Sequence, residues 1–336
     1  MVAATFCFWS FAAMMLRVPS ALQIHWIRRE TIRMAFHVPT DQPSFFQDVD
    51  LRFRLLLRKG IITGIDPIRL NNWLANFVSP EDKYLAAHLL NGLTYRSDAM
   101  VKSSFQHLME CELPHVLREH GGWSFADLET LYEALSNGTA KPPIRFVAVD
   151  GAFEKTPGKS GAVMIRQFKR HLNVAKPLLC RPERLEELPE DVKVLIFIDD
   201  LVGSGQQFKS FASHYKLEEH AKKRCLVYCP LLAFDQGLRN LKKALPWLQI
   251  LAVETLDRSH QFFRGSATAP HIWGVDQANT VHDVQDHVAK LCTRNGIPAS
   301  TRHCLDLLVA FEHAVPNNSL PMLSIRSAQW EPLFER

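Results

Sequence analysis

Residues 194–207 run Val-Leu-Ile-Phe-Ile-Asp-Asp-Leu-Val-Gly-Ser-Gly-Gln-Gln, and no other stretch constrains the chain as tightly. Five apolar residues, rich in β-branched and aromatic types, predict a strand buried on both faces at the centre of a parallel sheet. Asp199 and Asp200 then fall at its carboxyl end, where open α/β sheets bind ligands. Gly203, Ser204 and Gly205 follow, a turn tight enough to aim backbone N–H groups and the start of the next helix at a phosphate. Carboxylates accept from hydroxyls while amides and a hydroxyl donate to phosphate oxygens, so one short segment offers both halves of a sugar-phosphate site.

The flanks keep an α/β rhythm. Upstream, Ile144–Val149 predicts a strand, Asp150–Gly161 a polar glycine-rich loop, and Val163, Ile165, Phe168 and Leu172 the apolar face of a helix. Gly158-Lys159-Ser160 has the ending of a Walker A loop, but that motif needs a glycine where Phe153 stands. Lys159, Ser160 and Gly161 are instead expected to meet a diphosphate, the alternative being a solvated loop. Strands are expected at Val174–Leu179, Arg224–Cys229 and Leu248–Val253, and helices at Gln206–His220 and Phe234–Ala244. Alternation of this kind implies right-handed crossovers and a parallel sheet of about five strands with the acidic pair inside it. The fold class is therefore α/β, Rossmann-like.

The segment 194–207 resembles the phosphoribosyl-pyrophosphate motif of type I phosphoribosyltransferases. That resemblance implies that Asp199 and Asp200 hold the ribose 2′ and 3′ hydroxyls, and that Gly203, Ser204, Gly205, Gln206 and Gln207 hold the 5′-phosphate. It also implies Mg2+, met by the two aspartates indirectly through the ligand. Gln207 departs from the family, which has Thr or Ser there. The charged stretch Cys180–Asp191 stands where the family has a mobile catalytic loop, and it is short.

The rest of the chain sets bounds. With 336 residues, 47% hydrophobic and 22% charged, it is long enough for more than one core and shows no sign of disorder. A net charge of +4 is too small to argue for direct nucleic-acid binding, and Lys222-Lys223-Arg224 is expected to be a solvated helix end. Seven cysteines lack disulfide or zinc spacing, which suggests buried thiols in a reducing cytoplasm. Residues 1–43 form an apolar N-terminal segment that fits neither a secretory signal nor a membrane span; either translation starts at Met34 or the segment is a weak anchor. Residues 44–140 are expected to be helical without clear strands, Ser79-Pro80-Glu81-Asp82 marking one helix start. The α/β core is then 141–265 and a C-terminal extension 266–336, with a helix at Val281–Cys292 and a strand at Leu305–Phe311.

The extension contains Pro316-Asn317-Asn318-Ser319-Leu320-Pro321 and ends near Trp330-Glu331-Pro332-Leu333-Phe334. With the segment around Trp73–Leu90 and the acidic motif, this resembles PRTase-CE, a bacterial phosphoribosyltransferase-like family of conflict-system effectors, over roughly residues 45–336. The resemblance implies antiphage defence beside a partner protein. Asn317 and Asn318 are expected either to contact a base or ribose or to form a self-satisfied turn, and Glu312 or His313 either to move a proton or to be structural. Two functions stay open: an enzyme that transfers phosphoribose from phosphoribosyl pyrophosphate or cleaves a nucleotide, and a non-catalytic sensor of such a ligand.

Overall fold

A computed structural model of the protein describes residues 35–137, 142–149, 160–264, 272–274 and 276–335. Helices come first, several with a sequence-encoded start. α1 spans Phe45–Arg58; α2, Pro67–Leu74, begins at Asp66, whose carboxylate accepts the Arg69 N–H at 2.7 Å. α3, Pro80–Asn91, opens on a reciprocal cap in which Ser79 Oγ accepts from the Asp82 N–H at 3.1 Å and Asp82 Oδ2 accepts from the Ser79 N–H at 3.2 Å. A three-residue strand, β1 (Thr94–Arg96), then interrupts a stretch whose sequence pattern is helical. α4 (Asp98–His107) and α5 (Leu113–Gly121) are joined by a π-helical turn, and α6 covers Leu128–Ser136.

These helices divide between two cores. Val49, Trp73, Phe77 and Leu85 pack with Val288, Leu291 and Trp330 from the end of the chain. Phe105, Leu117 and Leu131 pack instead on the sheet, against Ile196, Ile198 and Phe168.

The sheet is built from β2 (Ile144–Ala148), β3 (Leu179–Cys180), β4 (Val194–Val202), β5 (Cys225–Phe234), β6 (Leu248–Ile250) and β7 (Glu254–Leu256). Among the described residues the order is β3-β2-β4-β5-β6, β7 continues along β5 past β6, and every pairing is parallel. Crossovers run through α7 (Ser160–Leu172), α8 (Gln206–His214) with α9 (Leu217–Ala221), and α10 (Asp235–Ala244). All nine residues of β4 are buried, as the apolar run predicts. Alternation sends Ile196 and Ile198 to the face covered by α7, and Leu195 and Phe197 to the face holding Phe208, Phe211 and Leu241. The expected α/β fold with a parallel sheet is present.

Local departures have local causes. The strand expected at Val174–Leu179 is a 3₁₀ turn, Lys176–Leu178, followed by the two-residue β3; Pro177 has no N–H to give a ladder. The helix expected at Gln206–His220 breaks into two because Lys216 adopts a left-handed φ of 50°. β5 extends past Cys229 through Pro230, and the strand expected at Leu248–Val253 divides into β6 and β7.

After the sheet, α11 (Val281–Arg294) starts on a Thr280–Asp283 reciprocal cap and returns to α3. There the buried Asp82 carboxylate accepts from Arg294 at 2.8 Å and lies 3.0 Å from His287 Nε2. Burial alone would raise this carboxyl, but Arg294, the Ser79 amide and His287 outweigh it and hold it below the usual range. β8 (Val309–Phe311) is shorter than the expected 305–311 and pairs in parallel with β1. No helix among the described residues is long and apolar enough to cross a membrane.

Candidate ligand site at the end of the central strand

Asp199 and Asp200 lie within β4, as its sixth and seventh residues, and are 2% and 6% exposed. The alternation of β4 breaks between Ile198 and Leu201, which pack in the same core, and the Asp199 and Asp200 carboxyls lie within reach of each other. Asp199 shares the Phe197 face, where its Oδ2 accepts from the Tyr228 hydroxyl at 2.7 Å and its Oδ1 from the Asp200 N–H at 3.1 Å. Asp200 Oδ1 accepts from the Leu201 N–H at 2.7 Å. Opposite Asp199 stands Pro230, which has no N–H, so both carboxylates take backbone donors of their own strand beside a gap in the ladder.

Burial, and then the neighbouring Asp200 charge, pushes the Asp199 carboxyl well above the ordinary carboxylate range. Burial and the Asp199 charge likewise raise the Tyr228 phenol. Tyr228 is fixed from behind by Phe208, the rings stacked at 3.9 Å and 27°. Asp199 is thus braced by Tyr228, with its carboxyl raised by burial and by Asp200 beside it.

The loop beyond β4 is seated by close backbone approach. Gly205 precedes α8 with φ 81°, a left-handed conformation that glycine adopts without strain. A Cβ on Gly237 of α10 would stand 2.0 Å from the Gly203 carbonyl oxygen, and a Cβ on Gly203 would stand 2.6 Å from the Asn318 side chain. Gly203 is therefore wedged between α10 and the C-terminal extension. Asn240 Nδ2 also donates to the Ser204 carbonyl at 3.1 Å. Within the loop, Ser204 Oγ accepts the Gln206 N–H at 3.3 Å. That hydroxyl occupies the kind of position a phosphate oxygen takes at a helix N-terminus. Ser204, Gln206 and Gln207 are exposed, so the loop's polar surface is open to solvent.

The extension contributes unequally. Asn318 reaches the loop, yet its Nδ2 donates to the His303 carbonyl at 2.8 Å and its own carbonyl accepts from Leu305 at 2.9 Å, so it locks a turn. Asn317 is exposed. Glu312 accepts from Thr63 Oγ1 at 2.6 Å and the Asp98 N–H at 2.8 Å, which ties β8 to the start of α4. His313 Nε2 is buried without a hydrogen-bond partner among the described residues. Lys159 lies outside the described residues; Ser160 and Gly161 open α7. Among the described residues no three His, Cys, Asp or Glu side chains converge as a metal site.

Tyr228, Gly237 and Asn240 escape sequence reasoning. Tyr228 becomes a partner of Asp199 only through the β4–β5 register. Gly237 does leave a signal, since a lone glycine inside a helical pattern marks a close approach.

The PRTase-CE family model matches residues 70–336. Among solved structures, the chain is similar to orotate phosphoribosyltransferase from Aeropyrum pernix, with 15% identity, 47% of this chain and 73% of that one covered, and a TM-score of 0.26. It is also similar to the AQ2163 protein from Aquifex aeolicus, at 12% identity, 57% and 85% coverage and a TM-score of 0.29. A third is the Helicobacter pylori xanthine-guanine-hypoxanthine phosphoribosyltransferase, at 11% identity, 57% and 97% coverage and a TM-score of 0.27. No curated protein matches the chain.

Proposed function

The chain belongs to the PRTase-CE family, and from that premise we propose that it binds a phosphoribosyl compound, phosphoribosyl pyrophosphate or a nucleotide, and transfers its phosphoribose or cleaves its N-glycosidic bond. The observation that carries this reading is the continuity of Asp199-Asp200 with a glycine loop that ends, at a left-handed Gly205, on the start of α8. The 5′-phosphate lies on Gly203 to Gln207, where the loop amides and the α8 N-terminus face it. The ribose hydroxyls lie by the acidic pair. Positive charge develops on the ribose as its C1′ bond breaks, and Asp199 or Asp200 stabilises it. Lys159, Ser160 and Gly161 take a diphosphate in this reading. Mg2+ would be met by Asp199 and Asp200 indirectly, through the ligand, and would neutralise charge on a leaving diphosphate; the described side chains form no cluster to hold it alone. The protein acts in the cytoplasm as an antiphage effector with a partner protein.

One observation favours a second reading, a non-catalytic sensor. Asp199 is braced by Tyr228, and burial with Asp200 beside it raises its carboxyl, which makes it a weaker stabiliser of a developing cation. Gln207, in place of a hydroxyl residue, points the same way. The test is incubation with phosphoribosyl pyrophosphate or nucleoside monophosphates and Mg2+, with products separated by chromatography. Turnover that disappears in the Asp199→Asn, Asp200→Asn double variant supports the enzyme, and turnover that survives it overturns the assignment. Tight binding without turnover supports the sensor.

A further inference from the structure

His313 is a half-buried imidazole near the acidic pair that neither the glycine loop nor the carboxylates account for. A buried ring nitrogen without a partner is costly and rare in a folded protein, and among the described residues Nε2 of His313 is one. Its surroundings place it beside the core that holds Ile198 and Leu201 of β4. Phe311, two residues earlier, packs in the same core as Ile198 and Leu201, with its ring 5.3 Å from the imidazole. Asn318, five residues later, abuts Gly203 of the phosphate loop. Burial pushes the imidazole below its ordinary range, and the charges of Asp200 on β4, Asp98 at the start of α4 and the adjacent Glu312 pull against it. Near pH 7 the ring is neutral and carries one N–H.

We propose that His313 is a specificity-determining residue of the site, its Nε2 hydrogen-bonding the same ribose hydroxyl that Asp200 holds and so selecting ribosyl over deoxyribosyl phosphates. The inference rests on the phosphoribosyl reading. A hydroxyl has one proton and two lone pairs, so it donates to the Asp200 carboxylate and accepts from the imidazole N–H at once. A deoxy sugar offers neither, and it leaves two buried groups unpaired. Selection against a missing hydroxyl is strong where the site is built to bond it. Glu312 contributes the anchorage: by holding Thr63 and the Asp98 N–H it fixes the residue next to His313.

The test is calorimetric titration of ribose 5-phosphate, 2-deoxyribose 5-phosphate and 3-deoxyribose 5-phosphate into the full chain and into His313→Ala and His313→Gln. The wild type is expected to bind one deoxy sugar at least about tenfold more weakly than ribose 5-phosphate. His313→Ala is expected to narrow that ratio by about three- to tenfold. His313→Gln, whose amide reaches the Nε2 position, keeps part of the ratio and covers the case in which the alanine variant fails to fold. Inorganic phosphate is expected to bind all three proteins alike. If the wild type discriminates and both variants discriminate equally well, His313 has no part in recognition while the phosphoribosyl reading stands. A wild type that binds ribose 5-phosphate without preference overturns the inference alone. If the wild type binds none of the sugars, the phosphoribosyl reading itself fails.

Discussion

Tyr228 on β5 donates a 2.7 Å hydrogen bond to Asp199 on β4, and both side chains are buried. The register pairs Tyr228 with Phe197 and Asp199 with Pro230, so the bond runs diagonally across one face of the sheet. It fixes the Asp199 carboxyl in place and occupies one of its oxygens. Tyr228→Phe removes the donor while keeping the ring against Phe208. The expected cost, read by urea unfolding, is roughly 1–3 kcal/mol, the penalty for a buried oxygen left unsatisfied. A variant as stable as the wild type would show that the bond contributes nothing to the fold.

The raised Asp199 carboxyl gives stability a definite dependence on pH. Burial, then Asp200, places its folded-state pKa above its unfolded value. Such a group holds its proton more tightly when folded. Its contribution is therefore complete below the unfolded pKa, about 3.9, and is lost as pH rises through the folded one. Within that window the expected slope is up to about 1.4 kcal/mol per pH unit. Asp199→Asn keeps an acceptor for Tyr228 and cannot ionise. It should flatten the profile, so that thermal unfolding shows the variant gaining on the wild type between pH 5 and pH 8. A difference that stays constant over that range would mean that Asp199 titrates as an ordinary carboxylate.

What was legible in the sequence was what depends on neighbours along the chain. The run Val194–Ile198 had to be a buried strand because it has no polar position to turn outward, and Ser79-Pro80-Glu81-Asp82 encodes its helix start within four residues. The glycine loop was recognisable for the same reason. β1 was not, because three residues carry no period and the strand exists only by pairing with β8 more than two hundred positions later. Tyr228 against Asp199, and Asn318 against Gly203, are likewise contacts between segments, set by register and packing. Asn318 was expected either at a ligand or in a turn, and its bonds to His303 and Leu305 are those of a turn.

The seating of α10 on the Gly203–Gly205 loop leads to a prediction whose sign separates two effects. Gly237 lies in the first turn of α10, and alanine there has the better helix propensity by up to about 1 kcal/mol. If propensity decided the matter, Gly237→Ala would stabilise the protein. The added Cβ, however, would stand 2.0 Å from the Gly203 carbonyl oxygen and 3.3 Å from the Gly205 nitrogen, both backbone atoms that no side-chain rotation can clear. Helix and loop must separate, and overpacking of this kind costs about 1–3 kcal/mol or more. The displacement falls on the amides proposed to face the 5′-phosphate. Gly237→Ala is therefore expected to lower stability in urea unfolding and to weaken ribose 5-phosphate binding beyond what Gln236→Ala, at the exposed neighbouring position, produces. A Gly237→Ala protein that is more stable than the wild type and binds unchanged would show that α10 does not hold the loop in its working conformation.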